Sequence, residues 1–432
     1  MCGIFGIAYD GNCLDKVGRG LFHLQHRGQK SVGLAFSCNG KPVQNSVLPG
    51  LVRPNDSIFQ LSEGEQAIGH VSLKEPQPFF AHTKMGEIAM SFSGNIRNSQ
   101  EIRENFLKIG CAFTSHTDVE LIARLIGQHE DPVEGIKGMA ERIRGAFSLV
   151  LITEKGVYAA RDPFGFRPLI IGKDIRGCAV ASESPPLVEN EMKIIRDVRP
   201  GEIILIEKQG FTTVGLIPSP RSAHCAFEWA YIARYDSVID GVPVYEARHN
   251  LGAALARNDN IEVDLVSPVP MSGTGHAVGY HQASGIPYGY VFFYNRYSDR
   301  SYTPLDQKDR DRIAAEKLSL IEGMAQGKRI ALLDDSIVRG TQMRRQVARL
   351  REAGAKEIHI RVASPPLVAP CAYGISTRTY KELIARNHPV EEIRKLLGAD
   401  TLRYNSVDEF VSAIGIPAEK LCLSCWTDEY PV

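Results

Sequence analysis

The spacing of apolar and polar positions changes character near the middle of the chain. Up to about residue 220 the apolar runs are short and come in pairs around turns. SLVLITEKGVYAARD (148–162) alternates on either side of a Lys-Gly turn, and GEIILIEKQGFTTV (201–214) does so around Gln-Gly, so each predicts a hairpin. TDVELIARLIGQH (117–129) has helical spacing with Thr117 as its N-cap. This pattern predicts an α/β domain layered on antiparallel sheets, and IPSPRSAHC (217–225) has the Pro and Ser content of a crossover linker. Beyond it, VDLVSPVP (263–270), IPYGYVFF (286–293), RIALLDD (329–335) and EIHIRVASP (357–365) are apolar strands separated by helical stretches. Strand alternating with helix predicts a parallel, doubly wound sheet.

Composition narrows the function classes. The 432 residues suffice for two or three domains, and 44% hydrophobic content supplies a core. Fifty basic and 50 acidic residues give a formal net charge of zero, which argues against nucleic acid or a membrane surface as the main partner. No apolar run reaches the ~20 residues of a membrane span. The opening MCGIFGIAYDG has no basic n-region, so a cytoplasmic location is expected. Nine Cys in a chain of this length are not a disulfide scaffold; they read as buried thiols, catalytic groups or metal ligands.

Residues 330–341, IALLDDSIVRGT, carry the sharpest chemical signal. A four-residue apolar strand ends on Asp334 and Asp335, and a small, hydroxyl-rich turn follows, Ser336, Ile337, Val338, Arg339, Gly340 and Thr341. The next stretch, QMRRQVARLREAGA, is a helix with Met343, Val347 and Leu350 on one face and Gly354 as its stop. A strand, loop and helix in this order aim backbone N–H groups and a helix N-terminus at one point, which suits a phosphate dianion. Carboxylates at the carboxyl end of such a strand face the ligand crevice of an open α/β sheet. The combination predicts a ribose 5-phosphate with its sugar toward the acids. The plain alternative is an ordinary strand-to-helix turn carrying two solvated Asp.

This segment resembles the phosphoribosylpyrophosphate (PRPP) loop of type I phosphoribosyltransferases. MCGIFGI at the start, LQHRGQ at 24–29 and RDPFGFRPL at 161–169 resemble an N-terminal-nucleophile glutaminase. DSVIDGVPVYEARHNLG (236–252) and REAGAKEIHIRVASPP (351–366) resemble the second half of the same enzymes, the amidophosphoribosyltransferase family. The resemblance covers nearly the whole chain. It implies an α/β protein in three parts. A class II glutaminase sandwich, antiparallel sheets between helices, takes residues 2–220; a type I phosphoribosyltransferase with a doubly wound parallel sheet takes 221–375; a C-terminal extension takes 376–432. The implied reaction makes 5-phosphoribosylamine from PRPP and ammonia, free or derived from glutamine, in purine biosynthesis. Implied partners are PRPP, glutamine or ammonia, purine nucleotides, and further copies of the chain in a dimer or tetramer.

Site residues follow by the same resemblance. Cys2 becomes the nucleophile when Met1 is removed, with its own α-amine, of reference pKa about 7.7–8.0, as base. Gly94 contributes to the oxyanion hole and Asp118 reads the amine of glutamine. PRPP is held by Asp334, Asp335 and Ser336 to Thr341, with Ser272 in the pyrophosphate loop and Arg296 in the lid; Asp334 and Asp335 also carry Mg²⁺. Four positions depart from the family pattern: Ser72 where an Arg is usual, Ser93 for Asn, Met271 for an acid and Tyr294 for Lys. Lys74 lies close enough to Ser72 to compensate, Arg300 keeps a lid cation, and Asp299 adds a negative charge to the lid. These departures keep open a second reading, a catalytically impaired paralogue that binds PRPP or a purine nucleotide as a regulator, or one that uses another amine.

Cys422 and Cys425 form a C-x-x-C pair, by itself a redox couple, half of a zinc site or neither. The contexts of Cys225 ahead of FEWAYIAR, Cys371 in PPLVAPCAYGI, and Cys422 with Cys425 before WTDEYP match the family's iron–sulfur branch. The resemblance therefore implies a [4Fe–4S] cluster on these four, although tetrathiolate ligation also suits Zn²⁺. Cys13, Cys38, Cys111 and Cys178 read as core or surface thiols.

Overall fold

The computed structural model describes residues 2–38, 41–53, 56–60, 63–73, 75–257, 259–295, 317–374, 377 and 379–431. Its first half stacks a seven-stranded sheet on a six-stranded one, and every strand pair in both is antiparallel. The Gly3–Tyr9 strand lies in the middle of the larger sheet and is buried along its whole length. Ile4 and Ala8 point between the sheets, toward Val150 and Ile152. Phe5, Ile7 and Tyr9 point the other way, toward Val17 and Leu21 of the Leu14–Leu24 helix. A strand covered on both faces reads as a continuous apolar run, which is why MCGIFGI shows no alternation. The outer face of the smaller sheet is covered by the Ser99–Lys108, Asp118–Ile126 and Pro132–Arg142 helices. Both predicted hairpins are present, Gly145–Thr153 with Gly156–Arg161 and Glu202–Glu207 with Gly210–Leu216. Thr117 caps the Asp118–Ile126 helix by accepting from Glu120 N–H.

The second half is a four-stranded parallel sheet in the order Leu265–Pro268, Arg329–Asp334, Glu357–Val362, Thr401–Tyr404. Ile330 and Leu332 pack on Met343, Val347 and Leu350 of the Thr341–Glu352 helix, while Ala331 and Leu333 pack on Leu255, Ala277 and Tyr280 from the other face. This is the doubly wound arrangement the pattern predicted. One expectation needs correcting. The 286–293 run does not form a strand of this sheet: it touches it only at a bridge between Tyr288 and Val266, and Phe292–Tyr294 pairs instead with Leu318–Leu320. Thr401–Tyr404, in the segment read as a C-terminal extension, pairs in parallel with Glu357–Val362 as the edge strand of the sheet. Among the described residues, no helix is long and apolar enough to cross a membrane.

Candidate functional site

The carboxyl ends of Leu265–Pro268 and Arg329–Asp334 meet beneath the loop that starts the Thr341–Glu352 helix. Asp334 and Asp335 are adjacent, Asp335 buried and Asp334 half-buried. Burial raises both carboxyls, and for Asp334 the neighbouring Asp335 raises it further. Ser272 donates to Asp334 Oδ1 at 2.7 Å and Ser336 to Asp335 Oδ2 at 2.5 Å. Arg248, buried behind the pair, donates to the Trp229 and Ala233 carbonyls at 2.8 and 2.7 Å and favours the Asp335 carboxylate through space. Above the acids, none of the backbone N–H groups from Ser336 to Gly340 meets an acceptor among the described residues. Gly340 holds φ at 74°, in the left-handed region, and a Cβ there would lie 2.9 Å from Ile384 Cδ1. The loop is fixed from outside by Ile384 N–H donating to the Val338 carbonyl at 2.8 Å and by an Arg339–Glu382 ion pair. Unpaired N–H groups beside crowded carboxylates suit an anion at one end and hydroxyls or a divalent cation at the other. Met271 is 58% exposed and Tyr294 half-buried. Arg296, Asp299 and Arg300 lie outside the described residues, as does Lys74.

Cys2 sits at the head of the central strand of the first half, where Gly3 pairs with Val71 and brings Ser72 alongside. Its thiol is 3.9 Å from Ser72 Oγ, and burial pushes it up. Ser93 donates to the Cys2 carbonyl at 2.9 Å, and Ser72 Oγ accepts from Glu75 N–H at 2.9 Å. So Ser72 and Ser93 both lie in the immediate surroundings of Cys2. Gly94 is required by packing, since a Cβ there would fall 1.9 Å from the Ala146 carbonyl. Asp118 accepts from Ile96 N–H at 3.2 Å, and burial raises it. Beside it stands Glu75, pushed up to about 7 by burial and then by Asp118. Arg103, the guanidinium that favours ionisation of both acids, donates to the carbonyls of Ser115 at 3.0 Å and of Thr117. His70 is fully buried, and burial lowers it to about 3, so it is neutral.

Cys225, Cys371, Cys422 and Cys425 line one small cavity between the halves. Cys225 and Cys422 are register partners of a two-strand parallel pair. The Cys425 carbonyl accepts from Val368 and Ala369 N–H at 2.9 and 3.2 Å, which holds the C-terminal turn to the chain ahead of Cys371. No group of three or more His, Cys, Asp or Glu among the described residues is arranged to hold a metal ion. A lone Zn²⁺ needs its sulfurs about 2.3 Å from one point. A four-iron cube binds each thiolate on a different iron, so its donors stand farther apart. The four thiols share the lining of one cavity, a donor set that suits a thiolate-bound metal group. Cys13 and Cys178 are buried in the core of the first half.

Glu75, Arg248 and Asn95 were not singled out from the sequence. Asn95 donates to the Ala372 carbonyl at 2.9 Å, tying the strand that carries Ser93 to the residue after Cys371. Each partner is distant in sequence, and local spacing carries no signal of it.

A family model for a glutamine amidotransferase domain matches residues 66–189. Over the full chain, an amidophosphoribosyltransferase of Methanocaldococcus jannaschii is 39% identical, with 100% of this chain and 98% of that protein covered. That of Bacillus subtilis is 37% identical, with 100% and 94% covered. Among solved structures, the B. subtilis glutamine PRPP amidotransferase complexed with ADP and GMP superposes with a TM-score of 0.91 at 37% identity, over 100% of this chain and 97% of that one. A structure described as the allosteric regulatory enzyme of purine biosynthesis gives 0.92 at 36% identity, covering 100% and 96%.

Proposed function

The chain belongs to the amidophosphoribosyltransferase family, and we propose that it makes 5-phosphoribosylamine from PRPP and ammonia, with ammonia from solution serving better than glutamine. The observation that carries the transferase reading is the adjacent Asp334–Asp335 pair beneath backbone N–H groups without acceptors among the described residues. PRPP brings the missing complements: a 5-phosphate for the Ile337–Thr341 backbone and ribose hydroxyls for the acids. Mg²⁺ held by Asp334 and Asp335 would neutralise the departing pyrophosphate. Ser272 orients Asp334, Arg248 favours the charged form of Asp335 against the opposing effect of burial, and the loop anchored at Ile384 fixes the phosphate end. A purine nucleotide presents the same 5-phosphate, and the ADP and GMP on the B. subtilis relative support the same cradle taking nucleotides here.

The glutamine half is the weaker one in this reading. Ser93 spends its hydroxyl on the Cys2 carbonyl and offers no amide donor to an oxyanion. Ser72 brings no cation for a substrate carboxylate, and Glu75 adds a second acid beside Asp118. Losing one oxyanion donor alone costs about 2.7–4 kcal/mol of transition-state stabilisation. Nothing in the comparisons favours an impaired regulator over an enzyme.

The reading further includes a [4Fe–4S] cluster on Cys225, Cys371, Cys422 and Cys425, a cytoplasmic location and assembly of several copies of the chain. The donor set and its shared cavity support the cluster. Anaerobically purified protein is expected to be brown with about four irons per chain, and Cys422→Ser to reduce soluble yield, since ligation energy is folding energy in such sites. The deciding assay is PRPP consumption under anaerobic conditions with ammonia or with glutamine. Ready turnover on ammonia supports the reading. Absence of turnover and of PRPP binding by folded, iron-loaded protein overturns it.

A further inference from the structure

The cavity shared by the four cysteines has one charged side chain in its lining, Arg167. It is 4% exposed and comes from the first half of the chain, while all four thiols come from the second. Its Nη2 donates to the Tyr373 carbonyl at 3.0 Å, two residues from Cys371. Gly374 makes room for this: a Cβ there would lie 2.1 Å from Arg167 Nη2 and 3.3 Å from Cys371 Sγ. The guanidinium and the thiol therefore border the same small space.

Among the described residues, the only carboxylate bonded to Arg167 is Glu228, reached by Nη1 at 3.2 Å. Glu228 is already gripped by Arg27, whose Nη2 and Nη1 donate to it at 2.6 and 3.3 Å. Arg27 in turn bonds Glu183, so one carboxylate between two guanidiniums leaves Arg167 with the looser share. A buried cation with a loose partner is costly unless a further negative charge faces it. Four thiolates on an iron–sulfur cube supply one, since the ligated group carries net negative charge inside a low-dielectric cavity.

We propose that Arg167 is a positioning residue for the four-cysteine centre, its built-in countercharge, delivered across the junction between the two halves and held by Tyr373 and Glu228. This rests on the iron–sulfur reading of the cysteines. A fixed positive charge favours the more negative, reduced form of the cluster and raises its reduction potential. It also makes retention of the cluster depend on the two halves being docked.

The test is an anaerobic one-electron titration with dithionite, followed by visible absorption and electron paramagnetic resonance, with iron counted per folded chain. Arg167→Gln is expected to make reduction at least tenfold less favourable, a fall of 59 mV or more for one electron. Iron should also leave the variant several-fold faster in the presence of a chelator. Arg167→Lys keeps the charge and should recover most of the potential. Glu228→Gln removes the competing carboxylate and should move the potential the other way, which keeps the test decisive if Arg167→Gln folds poorly. An unchanged potential in Arg167→Gln, or, where that variant fails to fold, no upward shift in Glu228→Gln, overturns the inference. Wild-type protein that takes up no iron–sulfur cluster overturns the cofactor reading instead.

Discussion

The Asp334–Thr341 site and the Cys2 site are assembled from the same materials, hydroxyls next to buried carboxyls, yet they leave their polar groups in opposite states. Around Cys2 the hydroxyls are engaged with the protein itself: Ser93 donates to the Cys2 carbonyl and Ser72 accepts from Glu75 N–H. At the other site two carboxylates crowd one another and the loop N–H groups from Ser336 to Gly340 have no acceptor among the described residues. Leaving buried donors and like charges unmet is costly. In the proposed function a phosphate and a cation complete those groups at the second site.

The largest effect should come from removing the acids. Asp334→Asn with Asp335→Asn is expected to lower PRPP turnover on ammonia by ~10³-fold or more, by loss of the cation and sugar contacts. The same variant should gain stability at neutral pH. Both native carboxyls are raised by burial, so their neutral forms fit the fold; the stability they contribute is present below the usual carboxylate pKa and lost as pH rises through the raised values. Melting curves should show the variant ahead of wild type by about 1–3 kcal/mol near pH 7 and level with it below about pH 4. A variant no more stable than wild type at neutral pH would mean the acids are not crowded in the free protein.

Next comes the phosphate loop. Gly340→Val forces a branched residue into φ 74° and against Ile384, so the loop must shift. Strain of about 1–3 kcal/mol should cut affinity for PRPP and AMP alike by ~10–100-fold in calorimetric titrations with Mg²⁺. If PRPP binding alone suffered, the 5-phosphate would not be what the loop holds.

A change at the Cys2 site should instead be able to restore function. Ser72→Arg with Ser93→Asn reinstates a cation and an amide donor, and the new guanidinium would stand near Glu75 and Asp118. Glutamine hydrolysis should rise ~10–100-fold, and adding Cys2→Ala should abolish the gain. Rapid hydrolysis by unmodified protein would show that other groups already supply those contacts and would erase the contrast between the two sites.

The smallest effect concerns Glu75. Its carboxyl is raised to about 7 by burial and Asp118, so it contributes stability below about pH 4.5 that is lost as pH climbs through 7. Glu75→Gln should stabilise the protein above pH 7 by roughly 1–2 kcal/mol, allowing for solvent screening, and leave it unchanged at pH 4. Equal melting temperatures at pH 8 would place Glu75 in ordinary solvent.

How much of this was legible in advance depended on the range of the interaction. The two hairpins, the Thr117 cap and the strand–loop–helix around Asp334 came from periodicity and turn chemistry, which act over a few residues. The 286–293 run misled because an apolar stretch fits a buried strand of any sheet, and only its neighbours decide which. Thr401–Tyr404 showed no sign of belonging to the parallel sheet, because its partner Glu357–Val362 lies some forty residues earlier.

By itself, then, the sequence determined the local elements, the order of the motifs and the residue types at each site, since backbone preference and side-chain chemistry are properties of short segments. Tertiary structure decided which charges meet. It set Glu75 beside Asp118, Arg248 behind Asp335, and Arg167 against thiols up to 258 positions away. Electrostatic energies depend on distance and burial in space, and neither can be read from separation along the chain.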